Sequence, residues 1–237
     1  MGVIYFNGIS SEKYGVLVEH PPGYSYPEKE IEFVHIEGRN GDLTIDKGSY
    51  QNVTRSYDLA VGDESVKFSK LANNLSSWLH SSRGYARLED TYEPDYFRMA
   101  IYSEGNDIEN ILQHAGRVTV EFNCKPQRFL KSGDIPLRIT NNKSLFNPTN
   151  FESNPLIVVN GSGNGTIKIG DYTITVNGIT SGMCIDSELM DVYKGSTNLN
   201  SKVVLPNSFP RLVKGENTIQ FSGGVTSLEV TPRWWTL

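Results

Sequence analysis

Apolar and polar residues alternate with a period of two along much of the chain, which predicts a protein built mainly from β-strands. The clearest case is residues 118–124, where valine, phenylalanine and cysteine share one face and polar side chains the other. A strand with one buried face is expected there. Pro126 has no N–H to donate, so we expect it to end this strand, and residues 131–133 to release the chain. We interpret the segment as the last strand of one domain and the crossing into a second.

The residues before this crossing combine strands with one helix. Apolar side chains in residues 65–79 recur at helical spacing and form one stripe, which predicts an amphipathic helix packed on a sheet. Asp63 is a candidate N-cap, and Glu64 adds negative charge where the helix dipole favours it. Strands are predicted at residues 2–6, 14–19, 32–36, 53–61, 85–90 and 96–101. Domain 1–132 is therefore expected to be an antiparallel, β-sandwich-like unit with one α-helix.

The residues after the crossing predict short strands and turns almost exclusively. Turns are expected at residues 160–165 and at Asn177-Gly178, and a hairpin across Gly170-Asp171. The strands predicted here are 135–139, 155–159, 166–169, 172–176, 184–188, 191–193, 218–221 and 227–231. Many short strands between regular turn signals are typical of a β-sandwich or a jelly roll. The expected fold class is thus mainly β with two domains, 1–132 and 133–237.

One polar segment of the first domain, residues 37–50, is predicted to project as a hairpin or loop. Asn40-Gly41 favours a tight turn because both residues tolerate positive φ. Glycines and charges of both signs leave the segment little core of its own. Two interpretations stay open, a solvated turn and an arm that contacts a neighbouring subunit. The residues predicted for such a subunit interface are Arg39, Asn40, Asp42, Asp46, Lys47 and Tyr50.

Composition and charge narrow the possible partners. Tyrosine, phenylalanine, glycine and asparagine are abundant, which favours strands and turns. The formal net charge of -5 gives no electrostatic basis for specific nucleic-acid binding. No apolar run approaches the roughly 18 residues of a membrane helix, and the first residues lack the pattern of a secretory signal. Cys124 and Cys184 lie far apart, so free thiols in a reducing cytoplasm are expected rather than a disulfide.

The sequence carries no motif for catalysis, a metal or a cofactor. Residues 161–165 resemble a phosphate-binding loop only superficially, since no helix and no lysine follow in register, and a hairpin turn is expected. The histidines lack metal-ligand spacing. The acid pairs at 63–64, 89–90 and 186–188 are each expected to be caps or solvated faces. An enzyme is therefore not expected, and a hydrolase built on two of these carboxylates is kept only as a hypothesis.

Aromatic residues of the second domain leave another function open, a carbohydrate-binding module. β-Sandwich modules bind sugars by stacking aromatic rings on apolar sugar faces. The alternative is that these tryptophans are core residues that fix the last strand, because aromatic residues are also common in cores. The residues considered for sugar stacking are Tyr172, Tyr193, Trp234 and Trp235.

Several stretches of the chain, taken in order, form a set that is more specific than any one of them. They are residues 75–79 with 84–90, 94–98 with 118–124, 125–133, 145–149, 153–157, 185–188, 207–210, 215–217 and the ending Pro232-Arg233-Trp234-Trp235-Thr236-Leu237. Over essentially the whole length, this set resembles the distal tail proteins (Dit-type, phage tail family) of long-tailed bacteriophages of Gram-positive hosts.

The resemblance implies a virion structural protein at the tail tip, made in the host cytoplasm. It implies that the N-terminal domain forms a hexameric ring around the DNA channel, with a galectin-like C-terminal sandwich on the outside. The implied partners are the tail tube protein, the tail-tip hub or tail-associated protein and a receptor-binding protein. The chain has no insertion for an extra binding module, so a compact adaptor is expected rather than host adhesion. The acidic balance suits a channel that passes DNA without holding it.

Overall fold

The computed structural model describes residues 1–61, 68–103 and 116–237. The chain divides into two compact units, residues 1–128 with Leu237 and residues 129–236. Each unit has its own hydrophobic core. Strands dominate both units, and the described part of the chain contains one α-helix, so the prediction of a mainly β fold is confirmed.

The first unit is built on a curled antiparallel sheet. Its strands are β1 (Ile4–Phe6), β2 (Ile9–Ser10), β3 (Val16–Val18), β4 (Lys29–Val34), β5 (Leu43–Tyr50), β6 (Val53–Val61), β7 (Ala86–Asp90), β8 (Tyr96–Tyr102) and β9 (Arg117–Leu130). The sheet has the order β2-β1-β7-β8-β9-β6-β3, and β4 and β5 form a two-stranded sheet of their own. Gly2 and Val18 exchange two backbone hydrogen bonds of 2.9 and 2.8 Å, so the curled sheet closes on itself.

The predicted helix is confirmed as α1, Phe68–Leu79. Its buried stripe consists of Leu71, Ala72, Leu75, Trp78 and Leu79. This stripe joins the same core as Phe6 and Phe122, which explains why the helix forms where its apolar face can be covered. The Trp78 indole N–H donates to the Phe6 carbonyl at 3.1 Å, which satisfies the one polar atom of that buried ring. The predicted cap at Asp63-Glu64 and residues 65–67 lie outside the described residues.

The prediction that Pro126 ends its strand is wrong, because β9 continues to Leu130. β6 and β9 pair from Ala60 opposite Arg117 to Val53 opposite Cys124. This pairing stops before the proline, so the missing N–H of Pro126 breaks no hydrogen bond to β6.

The second unit is built on a nine-stranded sheet with two long strands, each of which pairs with different neighbours at its two ends. Its strands are β10 (Leu137–Ile139), β11 (Lys143–Asn147), β12 (Leu156–Ile169), β13 (Tyr172–Thr180), β14 (Met183–Asp186), β15 (Asp191–Lys194), β16 (Thr197–Asn198), β17 (Val203–Val204), β18 (Gly215–Thr231) and β19 (Trp235–Thr236). β12 and β18 pair along most of their length. At one end they are flanked by β14 and β10, and at the other by β13 and β11. Residues from both ends share one core, as in a sandwich.

The predicted turn at residues 160–165 is wrong, because β12 passes through it as one strand. The pairing register with β18 shifts there. A methyl group on Gly224 would overlap the Ser162 carbonyl oxygen, and one on Gly161 would overlap the Gly224 carbonyl oxygen. The glycines therefore allow two backbones to approach closely at a bend, rather than reversing the chain.

Asn177-Gly178 is also not a turn between strands, because it lies inside β13. There β13 has one residue more than β12, and the Gly178 N–H donates to the Asn164 side-chain oxygen at 2.8 Å. Gly178 has a φ of +67°, which suits glycine at a bulge. The predicted hairpin across Gly170-Asp171 is confirmed, with Ile169 opposite Tyr172.

The two ends of the second unit are bonded to each other. The Leu130 N–H donates to the Trp234 carbonyl at 2.8 Å, and the Arg233 N–H donates to the Gly133 carbonyl at 2.8 Å. Trp234 is buried in the core of this unit. The tryptophan-rich ending is therefore fixed rather than frayed, and the alternative that Trp234 is a core residue is confirmed.

Candidate functional site

Residues 37–50, predicted to project as a hairpin or loop, form the turn and the second strand of a hairpin whose first strand is β4. Residues that face each other across the two strands lie on the same side of the hairpin. One side carries Ile31, Phe33, Thr44 and Asp46, and the other carries Glu32, Val34, Leu43 and Ile45. Apolar side chains therefore occupy both sides.

These apolar side chains are unusually exposed for a strand. Phe33 is 64% exposed, and Ile31, Leu43 and Ile45 are exposed as well. An isolated two-stranded hairpin is only marginally stable in water, and exposed apolar surface of this kind is typical of an interaction site. The hairpin thus has the properties of a surface that another molecule covers.

Many of the hairpin's charges, in contrast, are paired within it. Lys29 binds Asp46, and Lys47 binds Glu32 at 2.8 Å. The hydrogen bond from Lys29 lowers the pKa of Asp46 below its ordinary value. All four side chains are exposed, so we expect these pairs to contribute little to stability. These four charges have partners within the hairpin, whereas the exposed apolar side chains remain open to contact by another molecule.

The residues predicted for a subunit interface all lie between the end of β4 and the end of β5. In chain order they are Arg39, Asn40, Asp42, Asp46, Lys47 and Tyr50. The predicted residues leave out exposed apolar neighbours such as Phe33 and Ile45. The alternation that could have identified them is the same one that a strand covered by its own sheet would show.

A buried arginine, Arg55, connects the chain segments before and after the hairpin. It is 3% exposed. Arg55 lies on β6, shortly after β5 ends. Its guanidinium donates to the Gly23 carbonyl at 2.8 Å, and its central carbon lies 5.3 Å from the centre of the Tyr24 ring. Gly23 and Tyr24 precede β4. Below the first pair of the hairpin, the Gln51 N–H donates to the Glu28 carbonyl at 2.9 Å.

Arg55 is itself held by buried carboxylates. It donates to Asp90 at 3.3 Å and to Glu93 at 3.0 Å. Glu93 also accepts from Arg98 at 3.2 Å and from Arg128 at 2.7 Å. These five residues, called the Arg55 network below, combine three guanidinium groups with two carboxylates. Each of these charges therefore has an opposite charge beside it, which offsets part of the cost of burying it.

Tyr57 completes the surroundings of Asp90. Its hydroxyl donates to Asp90 at 2.7 Å. Burial, together with the charge of Asp90, raises the pKa of Tyr57 well above its ordinary value, so the hydroxyl keeps its proton. Sequence reasoning missed the Arg55 network. The only signal was that Arg55 shares a strand face with Tyr57 and Leu59.

Of the two interpretations of the acid pairs, caps or solvated faces, the solvated face is wrong for Asp90 and Asp186. Each accepts hydrogen bonds from the backbone N–H groups two and three residues later and so caps a turn. Asp90 and Asp186 are both buried, and each binds an arginine. Asp186 accepts from the two terminal nitrogens of Arg233 at 2.7 and 3.0 Å. Burial alone would raise the pKa of Asp186, but the hydrogen bonds from Arg233 and from backbone N–H groups outweigh it and lower that pKa. The pair Asp63-Glu64 lies outside the described residues.

The four aromatic residues considered for sugar stacking have different surroundings. Trp234 is buried in the core. The Trp235 ring stacks on Phe151 with 4.4 Å between ring centres. Tyr193 lies half-buried on β15, and Tyr172 lies half-buried at the start of β13.

Tyr172 lines an open cleft of about 440 Å³ in the second unit. Polar side chains line it too, and Arg211 binds Glu152 there at 3.2 Å. The other charged or amide side chains of this lining are Asp171, Asn207, Glu216 and Asn217.

Both cysteines are free. Cys124 is buried, and burial raises its pKa to about 12, which leaves the thiol protonated and unreactive at neutral pH. Within residues 1–61, 68–103 and 116–237, no group of three or more His, Cys, Asp or Glu side chains could hold a metal ion. The described helix is too short and too polar to cross a membrane.

Comparison with known proteins gives a strong likeness in structure. No protein-family model and no curated protein sequence matches the chain. The solved structure of the SPP1 Dit (gp 19.1) protein, described as a paradigm of the hub adsorption apparatus in Gram-positive infecting phages, matches with a TM-score of 0.74 at 16% identity. The match covers 100% of both chains. The resemblance is therefore confirmed at the level of the fold: over its whole length, the chain folds like a Dit-type distal tail protein.

Proposed function

We propose that the protein is a structural component of a bacteriophage tail, located at the tail tip of the virion and made in the host cytoplasm. It acts as a distal tail adaptor. Six copies form a ring around the DNA channel, and the ring joins the tail tube protein to the tail-tip hub or baseplate, with a receptor-binding protein as a further partner. The observation that carries this proposal is the full-length likeness to the SPP1 Dit protein.

The hairpin is our candidate for the contact between neighbouring subunits. A ring needs two different patches on each subunit, one of which docks on the other after a fixed rotation. The hairpin supports this role because it carries exposed apolar side chains on both sides and belongs to no larger sheet. If the next subunit covered Phe33 and Ile45, the burial of these side chains would supply a hydrophobic contribution to stability. The hairpin lacks that contribution within one chain.

Light scattering behind size exclusion, followed by negative-stain electron microscopy, tests the ring directly. The intact protein should elute at the mass of a hexamer and show particles with a central hole. Deleting residues 40–47 should leave folded monomers, because the turn and most of β5 are then missing. Rings that survive this deletion would rule out the hairpin as the contact.

A matched pair of phenylalanines sharpens the test. Phe33 in the hairpin is 64% exposed and Phe146 on β11 is 63% exposed. Phe33→Ser should raise the protein concentration at which hexamers form by at least tenfold. A tenfold change is equivalent to about 1.4 kcal/mol. Phe146→Ser should leave the mass unchanged. Equal effects of the two substitutions would indicate that association depends on exposed apolar surface in general and not on a specific contact at the hairpin.

A second candidate function is carbohydrate binding by the second unit. The cleft beside Tyr172 favours it, because an aromatic side chain and several polar ones line the same opening. Binding of the intact protein to purified cell-wall polysaccharide would support it if Tyr172→Ala abolished that binding while Phe146→Ala did not. Unchanged binding in Tyr172→Ala would remove this cleft as the sugar site.

A further inference from the structure

The position of Arg55 has a geometric consequence for the hairpin. The chain enters the hairpin from Gly23 and Tyr24 and leaves it towards β6, which carries Arg55. By contacting both preceding residues, Arg55 connects the incoming segment to the outgoing one. The backbone hydrogen bond between Gln51 and Glu28 joins the same two segments closer to the strands.

We infer that Arg55 is a positioning residue, which fixes the direction in which the hairpin leaves the curled sheet. The positioning role of Arg55 does not depend on the proposed function. Only its consequence does, namely that a hairpin held in one direction is ready to dock on the next subunit. Binding is stronger when the docking element is already ordered, because less conformational entropy is then lost on assembly.

The chemistry of arginine explains why this residue suits the task. A guanidinium presents several N–H donors in a rigid plane, so one group can serve a carbonyl and carboxylates at once. In Arg55 one terminal nitrogen donates to Gly23, and the other donates to Asp90 and Glu93. A lysine would keep the charge but could not maintain this planar set of contacts.

The rest of the Arg55 network gives the anchor its rigidity. Asp90 ends β7, Arg98 lies on β8 and Arg128 lies on β9. Glu93 lies between β7 and β8 and binds all three arginines of the network. The guanidinium that holds the hairpin's incoming segment is thus braced by three strands of the curled sheet.

Two tyrosines of one loop provide a matched experiment on the intact chain. Tyr24 and Tyr26 are 62% and 77% exposed, so neither substitution should disturb a core. Tyr24 contacts Arg55, whereas no ring contact of Tyr26 occurs among the described residues. In Tyr24→Ala, hydrogen exchange of the amides in residues 28–50 should become about tenfold faster, which is the range of one partly desolvated cation–π contact. Tyr26→Ala should leave it unchanged.

Arg55→Lys tests the anchor more severely. We expect faster exchange in residues 28–50 by at least tenfold, with β6, β8 and β9 protected as before, because the charge balance is kept. Faster exchange throughout the first unit would show a merely structural role and overturn the inference. If Arg55→Lys fails to fold, the comparison of Tyr24→Ala with Tyr26→Ala still tests the inference. Equal hydrogen-exchange rates of residues 28–50 in these two variants would overturn the positioning role of Arg55.

The same variants separate this inference from the proposed function. A faster-exchanging hairpin in Tyr24→Ala supports the anchor, whatever the mass of the protein. If rings persist at the same concentration in that variant and also in Phe33→Ser, the hairpin is anchored as inferred but is not the subunit contact.

Discussion

The hairpin of the first unit and the strand pair β12–β18 of the second are both antiparallel pairs that contain glycines. They differ in whether their apolar side chains are exposed or buried. The hairpin leaves its sheet and exposes apolar side chains on both sides. β12 and β18 stay paired through a bend and bury their apolar side chains in the core. The difference lies in what surrounds the glycines.

In the hairpin, Gly41 has a φ of +79° and a methyl group there would meet nothing within 4 Å. In the long pair, Gly161 and Gly224 press against the opposite backbone. Glycine thus permits a chain reversal in one region and a close crossing in the other. Because β12 and β18 bend while they stay paired, their apolar side chains pack into a core of the same unit. The hairpin only reverses the chain direction, so its apolar side chains need another surface to cover them.

Two leucines provide the strongest test of this contrast. Leu228 on β18 is fully buried, whereas Leu43 on β5 is exposed. Leu228→Ala should lower the free energy of unfolding by about 2–5 kcal/mol, because it leaves a cavity in a packed core. Leu43→Ala should change it by less than about 0.5 kcal/mol in the monomer. Urea unfolding at concentrations where the chain is monomeric measures both, and similar values for the two would contradict the contrast.

Two glycines test the crossing itself. Gly224→Ala should destabilise the second unit by about 1–3 kcal/mol, because the new methyl group forces two backbones apart. Gly84→Ala is the control, since a methyl group at Gly84 meets nothing within 4 Å. We expect the control to lie within about 0.5 kcal/mol of the unsubstituted protein. If Gly224→Ala unfolded at the same urea concentration as Gly84→Ala, the bend would not depend on close approach.

The two lowered aspartate pKa values give the mildest test, which uses acid. Asp186 lies beside β12 and is buried against Arg233, whereas Asp46 is exposed in the hairpin. Because the folded pKa of Asp186 lies below the ordinary value of 3.8, its contribution is complete above about pH 4 and is lost as the pH falls through the folded pKa. Asp186→Asn should therefore be about 1–2 kcal/mol less stable at pH 7 and show a shallower loss of stability below pH 4.

Asp46→Asn is the control for that acid titration. Its partner Lys29 is exposed, so water and salt screen the pair and little free energy of unfolding depends on it. Free energies of unfolding measured in urea between pH 2.5 and 7 should therefore coincide for Asp46→Asn and the unsubstituted protein. An acid dependence of Asp186→Asn equal to that of the unsubstituted protein would show that the buried pair is not what loses stability.

Much of the fold could be predicted because it depends on local pattern. The stripe of α1, the alternation around Phe122 and the hairpin across Gly170-Asp171 are each determined within a dozen residues. The wrong predictions share a different cause. Residues 160–165 and Asn177-Gly178 have turn composition, but they form a bend in β12 and a bulge in β13 instead of chain reversals. The residues on either side of them stay paired, β12 with β18 and with β13, and the pairing with β18 leaves no local signal in the sequence.

The candidate site shows the same division. The position of the hairpin's reversal in the chain could be predicted. Its hydrogen-bonded turn, however, lies at Glu37-Gly38, where the Arg39 N–H donates to the Ile36 carbonyl at 3.2 Å, and not at Asn40-Gly41. The Arg55 network could not be predicted, because Arg55 and Glu93 lie 38 residues apart and only the curled sheet brings them together. Nor could the exposure of Phe33 be predicted, since a sequence does not show whether a partner surface comes from the same chain.

The bonded ends of the second unit carry a consequence for how such a chain can change. Leu130 and Trp234 are hydrogen-bonded neighbours, so residues 131–233 leave and return at nearly the same point. A segment whose ends are adjacent can be exchanged, enlarged or circularly permuted without stretching the chain on either side. Residues 131–233 could therefore be replaced in evolution by a different domain that suits other partners. The first unit would not have to change its sequence.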